Sequence, residues 1–171
     1  LAQALADQGW QVRGTTRTPS KLADKAGQGW QILPFQSGQP LADPAAAFAD
    51  IDAIISTITA IGGSDPVLDA HGGDLANFSG WSGYVSATSV YPDMPHDICY
   101  EDTKVAPATA RGKARVIAEA HWQEAFGTEI FRAAGIYGVG RSPFDALRDG
   151  TARIIERDGQ VFNRIHVDDI C

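Results

Sequence analysis

Two stretches of this 171-residue chain place groups that do chemistry at the ends of strand-like runs. The segment Tyr84 to Tyr91 reads YVSATSVY, and its hydroxyls at Ser86, Thr88 and Ser89 precede Tyr91. At the carboxyl end of a strand such hydroxyls hydrogen-bond a ribose or a substrate carbonyl. They also serve simply to cap the next turn, and taken alone the two roles are evenly balanced. The second stretch is Gly14-Thr15-Thr16-Arg17. An acidic side chain at the end of such a strand would hold a ribose 2′-OH. A hydroxyl pair followed by Arg suits a 2′-phosphate instead, because a guanidinium grips phosphate with two parallel hydrogen bonds. The plainer role for Arg17 is a solvated loop residue beside Lys21. His96 and Cys99 sit three apart in a Pro-rich stretch with no second ligand pair, so no metal site is expected there.

The elements that must position these groups follow from pattern and punctuation. Leu1, Ala4 and Leu5 followed by Gly9 read as the last turns of a helix. Trp10 to Thr16 reads as a strand, and Pro19 to Ala26 as a short helix with Ser20 available to cap it. A second strand spans Gly29 to Phe35, and an Ala-rich helix Asp43 to Ala49. Asp52 to Thr59 (DAIISTIT) is a β-branched apolar run of the kind buried on both faces of a sheet. A helix is predicted over Pro66 to Phe78 and a buried strand over Trp81 to Thr88. Pro107 to Phe126 is the longest predicted helix, with Ala114, Ile117, Ala118, His121 and Ala125 forming one stripe. Thr128 to Ala133 reads as a strand and Ser142 to Leu147 as a short helix. Arg153 to Glu156 and Val161 to Val167 bracket Arg157-Asp158-Gly159-Gln160 as a hairpin. Gly62-Gly63 and Gly72-Gly73 lack the spacing of a phosphate loop and read as turns.

Strands alternating with helices predict an α/β fold, a parallel sheet with helices on both faces, whose ligands sit at the carboxyl strand ends. The chain opens at Leu1 inside a helix and closes at Cys171 after a strand-like run. A longer polypeptide is therefore expected, with a sheet position left unfilled where a strand before that helix belongs. The balance of 14 Lys+Arg against 21 Asp+Glu, net −7, argues against nucleic acid or an anionic membrane as partner. No apolar run reaches the ~18 residues of a membrane span. Two cysteines and no secretory signal suggest a reducing, cytoplasmic setting.

The segments YVSATSVYPD, PATARGKARVIAE, IFRAAGIYGVGR and RIHVDDI, in this order, resemble the NAD-dependent epimerase/dehydratase family, the extended short-chain dehydrogenase/reductases, and within it the atypical YeeZ-like branch. The likeness runs from GWQVRGTTR onward. It implies a Rossmann fold without its first strand and phosphate loop, a nucleotide-binding domain over 1–171, and the start of a substrate lobe from about residue 142. It implies an NAD(P)-dependent oxidoreductase or epimerase acting on a sugar-like or nucleotide-linked small molecule. NADP is the expected cofactor and NAD the alternative. The cofactor-binding candidates are Thr15, Thr16, Arg17, Thr57, Ser86, Arg111, Arg115, Tyr137 and Gly138; the catalytic candidates are Thr88 and Tyr91.

The departures from the family pattern are specific. The family's hydroxyl position reads Ala87, and its Tyr and Lys positions read Arg111 and Arg115. Arginine stays protonated near neutral pH, so neither can cycle a proton, though either can bind an anion or pair with Glu119 on the helix surface. These departures support a second reading, an NAD(P)-binding regulatory or sensor protein without hydride chemistry; a third is that the chain binds nothing by itself. Tyr100 and Lys104 repeat the Tyr–Lys spacing, but in a loop ahead of Pro107. His166-Val167-Asp168-Asp169 is expected to brace the fold by hydrogen bonds.

Overall fold

The computed structural model describes residues 1–94, 98–154, 156, 159 and 161–171. Seven short strands alternate with helices: α1 (Ala2–Asp7), β1 (Arg13–Thr16), α2 (Ala23–Gly27), β2 (Gln31–Pro34), α3 (Pro44–Phe48), β3 (Ala53–Ser56), α4 (Pro66–His71), β4 (Trp81–Ala87), α5 (Ala110–Phe126), β5 (Glu129–Ala133), β6 (Gly135–Tyr137), α6 (Pro143–Arg148) and β7 (Arg164–His166). Every named strand pair is parallel, as the alternation predicts. The strands form three hydrogen-bonded groups, β1-β2, β3-β4-β5 and β6-β7. No ladder joins β1 to β3, and a cavity of about 820 Å³ lies between them.

Local chemistry explains where elements start and stop. The Asp65 carboxylate accepts from the amides of Val67 (2.9 Å) and Leu68 (3.1 Å), and Pro66 opens α4 without needing a donor. Thr109 caps α5 through the Gly112 amide at 3.0 Å. Gly127, left-handed at φ 63°, closes that helix by donating to the Gln123 carbonyl. Ser142 and Asp145 form a reciprocal capping box on α6. The Gly62–Gly63 pair, both at positive φ, turns the chain so that Ile61 and Ser64 bond each other's backbone. Ser20 caps nothing; the chain opens there as a 3-10 turn over Pro19–Leu22 with Thr18 as its uncapped start.

Two apolar clusters form the core. Tyr84, Ala60, Ala114, Ala118 and Trp122 pack β4 against α5, and Phe35, Leu41 and Ala47 pack β2 against α3. Val67 of α4 touches both clusters, so α4 ties the two sheets together.

Several boundaries and one pairing differ from expectation. The Asp52–Thr59 run is strand only over β3, partly buried rather than enclosed on both faces. Pro66–Phe78 is helix only over α4, with turns from Gly72 on, where an added Cβ would lie 2.7 Å from the Leu68 carbonyl. The expected stripe on α5 is rotated: Ala114 and Ala118 are buried, but the other buried positions are Gly112, Glu119 and Trp122, while Ile117, His121 and Ala125 are exposed. The bulk of the Trp122 ring, stacked on Tyr84 at 6.2 Å, sets the phase. The expected hairpin's first arm, Arg153–Glu156, includes Ile155, which lies outside the described residues. Arg164–His166, from the second expected arm, runs parallel to Gly135–Tyr137. Of the proposed turn, Arg157, Asp158 and Gln160 lie outside the described residues, as does His96 of the dismissed metal pair. Among the described residues no helix is long and apolar enough to cross a membrane.

Candidate functional site

The carboxyl end of β4 runs into a 3-10 turn, Thr88–Val90, and the N-terminus of α5 abuts it. Contact is so close that a Cβ at Gly112 would stand 2.4 Å from the Ser89 carbonyl. Only glycine permits this approach, and it fixes α5 against the strand end.

Beneath that turn lies a polar chain of four side chains. Ser86, buried, donates to Glu119 Oε1 at 2.5 Å. Glu119, only 4% exposed, accepts from Arg132 Nη2 at 2.8 Å and Nε at 3.3 Å. Arg132 Nη1 donates in turn to the Tyr91 hydroxyl at 3.2 Å, and its guanidinium lies 5.1 Å from the Tyr91 ring centre. The Glu119 carboxylate, ahead of every other influence, holds Arg132 above its ordinary value. A buried carboxylate is tolerated here because its two oxygens share a hydroxyl and a guanidinium.

The structure thus brings Ser86 and Tyr91 together, but through Glu119 and Arg132, which the sequence reading did not assign to the site. A signal existed for both. Ile130 and Arg132 alternate on the partly buried side of β5, so a charge sits at an inward strand position. Glu119 lies next to Ala118, on the same buried side of α5 as Ala114 and Trp122. Opposite charges at two inward positions are the pattern of a buried pair. The Arg115–Glu119 surface pairing, the alternative to anion binding, does not form among the described residues, since Glu119 faces inward.

Arg111 is exposed at the start of α5, with no partner among the described residues. Arg115 turns to β4, donating from Nη1 to the Val85 carbonyl at 3.3 Å. β3 pairs with β4 only up to Tyr84, so this guanidinium satisfies a carbonyl beyond the end of the ladder. The Nε of Arg115 is buried without a protein partner. Ala87, at the end of β4, offers no hydroxyl; Thr88 opens the following turn, and its carbonyl accepts from the Tyr91 amide at 3.1 Å.

At the end of β1, Thr16 Oγ1 accepts from the Thr18 amide at 3.2 Å and closes the turn. Thr15 and Thr57 both line the cavity between the sheets. Arg17 is exposed and has no partner among the described residues. Tyr137 and Gly138 stand apart from this group. The Tyr137 ring meets His166 edge-on at 5.0 Å, and Gly138 starts a turn to Arg141 that packs against Val167. His166 Nδ1 accepts from the Asp168 amide at 3.3 Å, the bracing role expected for that run. Tyr100 lies in an exposed turn whose amide donates to Thr103 at 2.8 Å, away from helix geometry with Lys104.

Tyr84 supplies a titration that reports on this core. Burial foremost, with the Asp65 carboxylate adding, pushes its phenol up to about 12, while Arg115 and the Ala60 backbone pull the other way. A phenol whose folded value is raised contributes stability below the unfolded value near 10, and that stability is lost as pH rises toward 12. Tyr84→Phe is expected to flatten the loss between pH 10 and 12, about 2–3 kcal/mol for a two-unit shift, with little change at neutral pH. Urea melts of both proteins across that range check it; parallel pH profiles defeat it.

No protein-family model matches this chain. No curated protein matches it either. Solved structures do. A conserved protein of unknown function from Silicibacter pomeroyi is similar over 99% of this chain and 60% of its own, at 38% identity and a TM-score of 0.85. A "putative NAD-dependent epimerase/dehydratase" from Methylobacillus flagellatus is 25% identical over 98% of this chain and 61% of its own, at a TM-score of 0.64. A UDP-glucuronic acid 4-epimerase from Bacillus cereus, in complex with UDP-glucuronic acid and NAD, is 18% identical over 99% of this chain and 65% of its own, at a TM-score of 0.69. This chain therefore spans about three fifths of the length of the structures it resembles.

Proposed function

We propose that this chain is part of an NAD-dependent epimerase/dehydratase, and that the whole protein binds a nicotinamide dinucleotide at the carboxyl ends of its Rossmann-type parallel strands and acts as an oxidoreductase or epimerase. The proposed substrate is a sugar-like or nucleotide-linked small molecule, held partly by a lobe that begins near residue 142. The UDP-sugar and NAD bound to the Bacillus cereus neighbour support both halves of this reading. A cytoplasmic setting accords with the two free cysteines.

The residues present fit one end of the cofactor. Arg17 is exposed at the end of β1, with no partner and no nearby carboxylate in its own segment among the described residues, and this observation carries the preference for NADP(H). Thr15 and Thr57 offer hydroxyls from the two facing strands, while the Thr16 hydroxyl is spent on its own turn. For the diphosphate the described residues offer no glycine cradle, since Gly62–Gly63 closes a tight turn and Gly72 ends α4. When bound, the nicotinamide supplies a hydride acceptor and donor. In this reading Tyr91 holds the proton at its hydroxyl, oriented by Arg132, and Thr88 orients the substrate. Ser86 supports the site from below, its hydroxyl committed to Glu119.

Titration of NADPH and NADH by fluorescence on the full-length protein tests the preference. NADPH is expected to bind at least about tenfold tighter, one guanidinium–phosphate contact being worth about 1.5–3 kcal/mol. Arg17→Asp is expected to reverse the order; tighter NADH binding by the unaltered protein defeats the reading.

The sensor reading rests on Ala87, Arg111 and Arg115, which leave the family's acid–base positions without a proton carrier. Arg115 is already bound to Val85, so Arg111 is the guanidinium free to hold an anion. Arg111→Ala is expected to weaken dinucleotide or substrate binding severalfold, with Arg111→Lys keeping part of it. Unchanged affinity for both would mark that helix face as ordinary surface. Cofactor reduction on mixing full-length protein with UDP-glucuronic acid and oxidised cofactor would favour the enzyme; binding without turnover across a panel of UDP-sugars would favour the sensor.

A further inference from the structure

Asp65, Tyr84 and Arg115 come from three segments that pack together under β4. Asp65 immediately precedes α4 and is 1% exposed. Its Oδ1 accepts from the amides of Val67 and Leu68, which leaves Oδ2 buried and without a partner. Arg115 commits Nη1 to the Val85 carbonyl at 3.3 Å, and its Nε is likewise buried without a partner. The turn ahead of Asp65 rests on α5, since a Cβ at Gly63 would stand 3.7 Å from the Ile117 side chain, two residues beyond Arg115. The fully buried Tyr84 phenol feels both charges: Asp65 raises its pKa and Arg115 lowers it. Yet no ion pair joins Asp65 to Arg115 among the described residues.

We propose that a binding site for one internal water lies between Arg115 Nε and Asp65 Oδ2, beside the Tyr84 hydroxyl, and that this water ties α4, β4 and α5 together. A carboxylate oxygen sealed from solvent with no donor, and a guanidinium N–H sealed with no acceptor, each carry the cost of desolvation. A single group that accepts from Nε and donates to Oδ2 removes both costs at once. Polar groups held more than about 3.5 Å apart are the usual setting for such a bridge.

Charge and size select the ligand. A cation would meet the guanidinium and an anion the carboxylate, so the ligand is neutral. It must both donate and accept, which excludes an apolar molecule. It must be small, because the two atoms that hold it are closed to solvent. Water meets all three conditions, and internal waters make about three hydrogen bonds to buried polar groups. The Tyr84 hydroxyl supplies the third. With Nη1 on Val85 and Nε on the water, Arg115 serves the core, whether or not the whole protein binds a dinucleotide.

High-resolution crystallography of the full-length protein and water–proton cross-relaxation in solution test the site. The crystal is expected to hold one ordered water about 2.7–3.2 Å from both Arg115 Nε and Asp65 Oδ2. In solution the Arg115 Nε proton is expected to give a cross-peak to water with the sign of a long-lived internal molecule. The cross-peak is expected to persist in Tyr84→Phe, where no phenol proton can relay exchange and the water keeps its other two partners. Asp65→Ser keeps an oxygen to cap α4 and removes the second one, so it is expected to fold and to lose the cross-peak. The proposal is overturned if Arg115 Nε bonds Asp65 Oδ2 directly or turns out to solvent. It is equally overturned if the unaltered protein gives no such cross-peak, if the cross-peak vanishes in Tyr84→Phe, or if it survives undiminished in Asp65→Ser. Should Asp65→Ser fail to fold, the crystal and the Tyr84→Phe measurement decide.

Discussion

Glu119→Ala is expected to cost about 3–5 kcal/mol of folding stability, because it leaves the Arg132 guanidinium in a largely enclosed site without its counter-charge. Glu119 is nearly sealed from solvent, and Ser86 and three nitrogen–oxygen contacts from Arg132 converge on it. Its removal also frees Arg132 from the position in which it meets Tyr91. For a chain of this length the loss corresponds to about 10 °C in melting temperature. Replacing the pair together, as Glu119→Leu with Arg132→Met, is expected to restore most of the stability, since matched apolar side chains avoid burying charge at all. Thermal melts of the three proteins check this. If Glu119→Ala melts within a degree or two of the unaltered chain, the pair is not the anchor described. If the double variant is stable but the oxidoreductase or epimerase activity proposed for the whole protein is lost, the pair's role lies in holding Tyr91.

Trp122→Ala is expected to cost a further class of stability, about 3–5 kcal/mol, by opening a cavity where the indole stacks on Tyr84 and meets Phe126 at 5.5 Å. Its neighbour His121 is exposed, so His121→Ala is expected to stay within about 0.5 kcal/mol. The two substitutions differ by one position along α5, which is about 100° around the helix. They therefore read the phase of the helix directly. Equal effects, or a larger loss at His121, would mean that α5 packs on the stripe the sequence suggests and not on the one described.

The helix phase shows where sequence reading stopped. Counting apolar positions at helical spacing found Ala114 and Ala118 correctly, then continued through His121 and Ala125. A small alanine signals either face, so the count could not see that Glu119 and Trp122 carry the packing. Glu119 is the sharper case. A carboxylate in a helix sequence reads as solvated surface, and it becomes a core residue only because β5 delivers a guanidinium to meet it. That contact joins residues 13 apart in sequence on two different elements. The same holds for Arg115, whose partner is a backbone carbonyl 30 residues away. The hydroxyls at the end of β4 were legible as a cluster, but not their division of labour: Ser86 buried on Glu119, Thr88 in the turn, Tyr91 against Arg132.

By itself the sequence determined the class of fold, the order of its elements as far as β5, and the parallel sense of the strands they form, because these depend on local periodicity, on Gly and Pro punctuation, and on connections too long for hairpins; β6 it did not announce. It also placed Thr15, Thr16 and Arg17 at the end of one strand and Thr88 and Tyr91 at the end of another. Only the tertiary structure decided which edges pair. β7 joins β6 in parallel, and β1 and β3 stand on either side of a cavity of about 820 Å³. Edge pairing is settled by backbone donors and acceptors that every residue carries alike, so no pattern of side chains announces it; what decides is which unpaired edge the packed helices bring within reach.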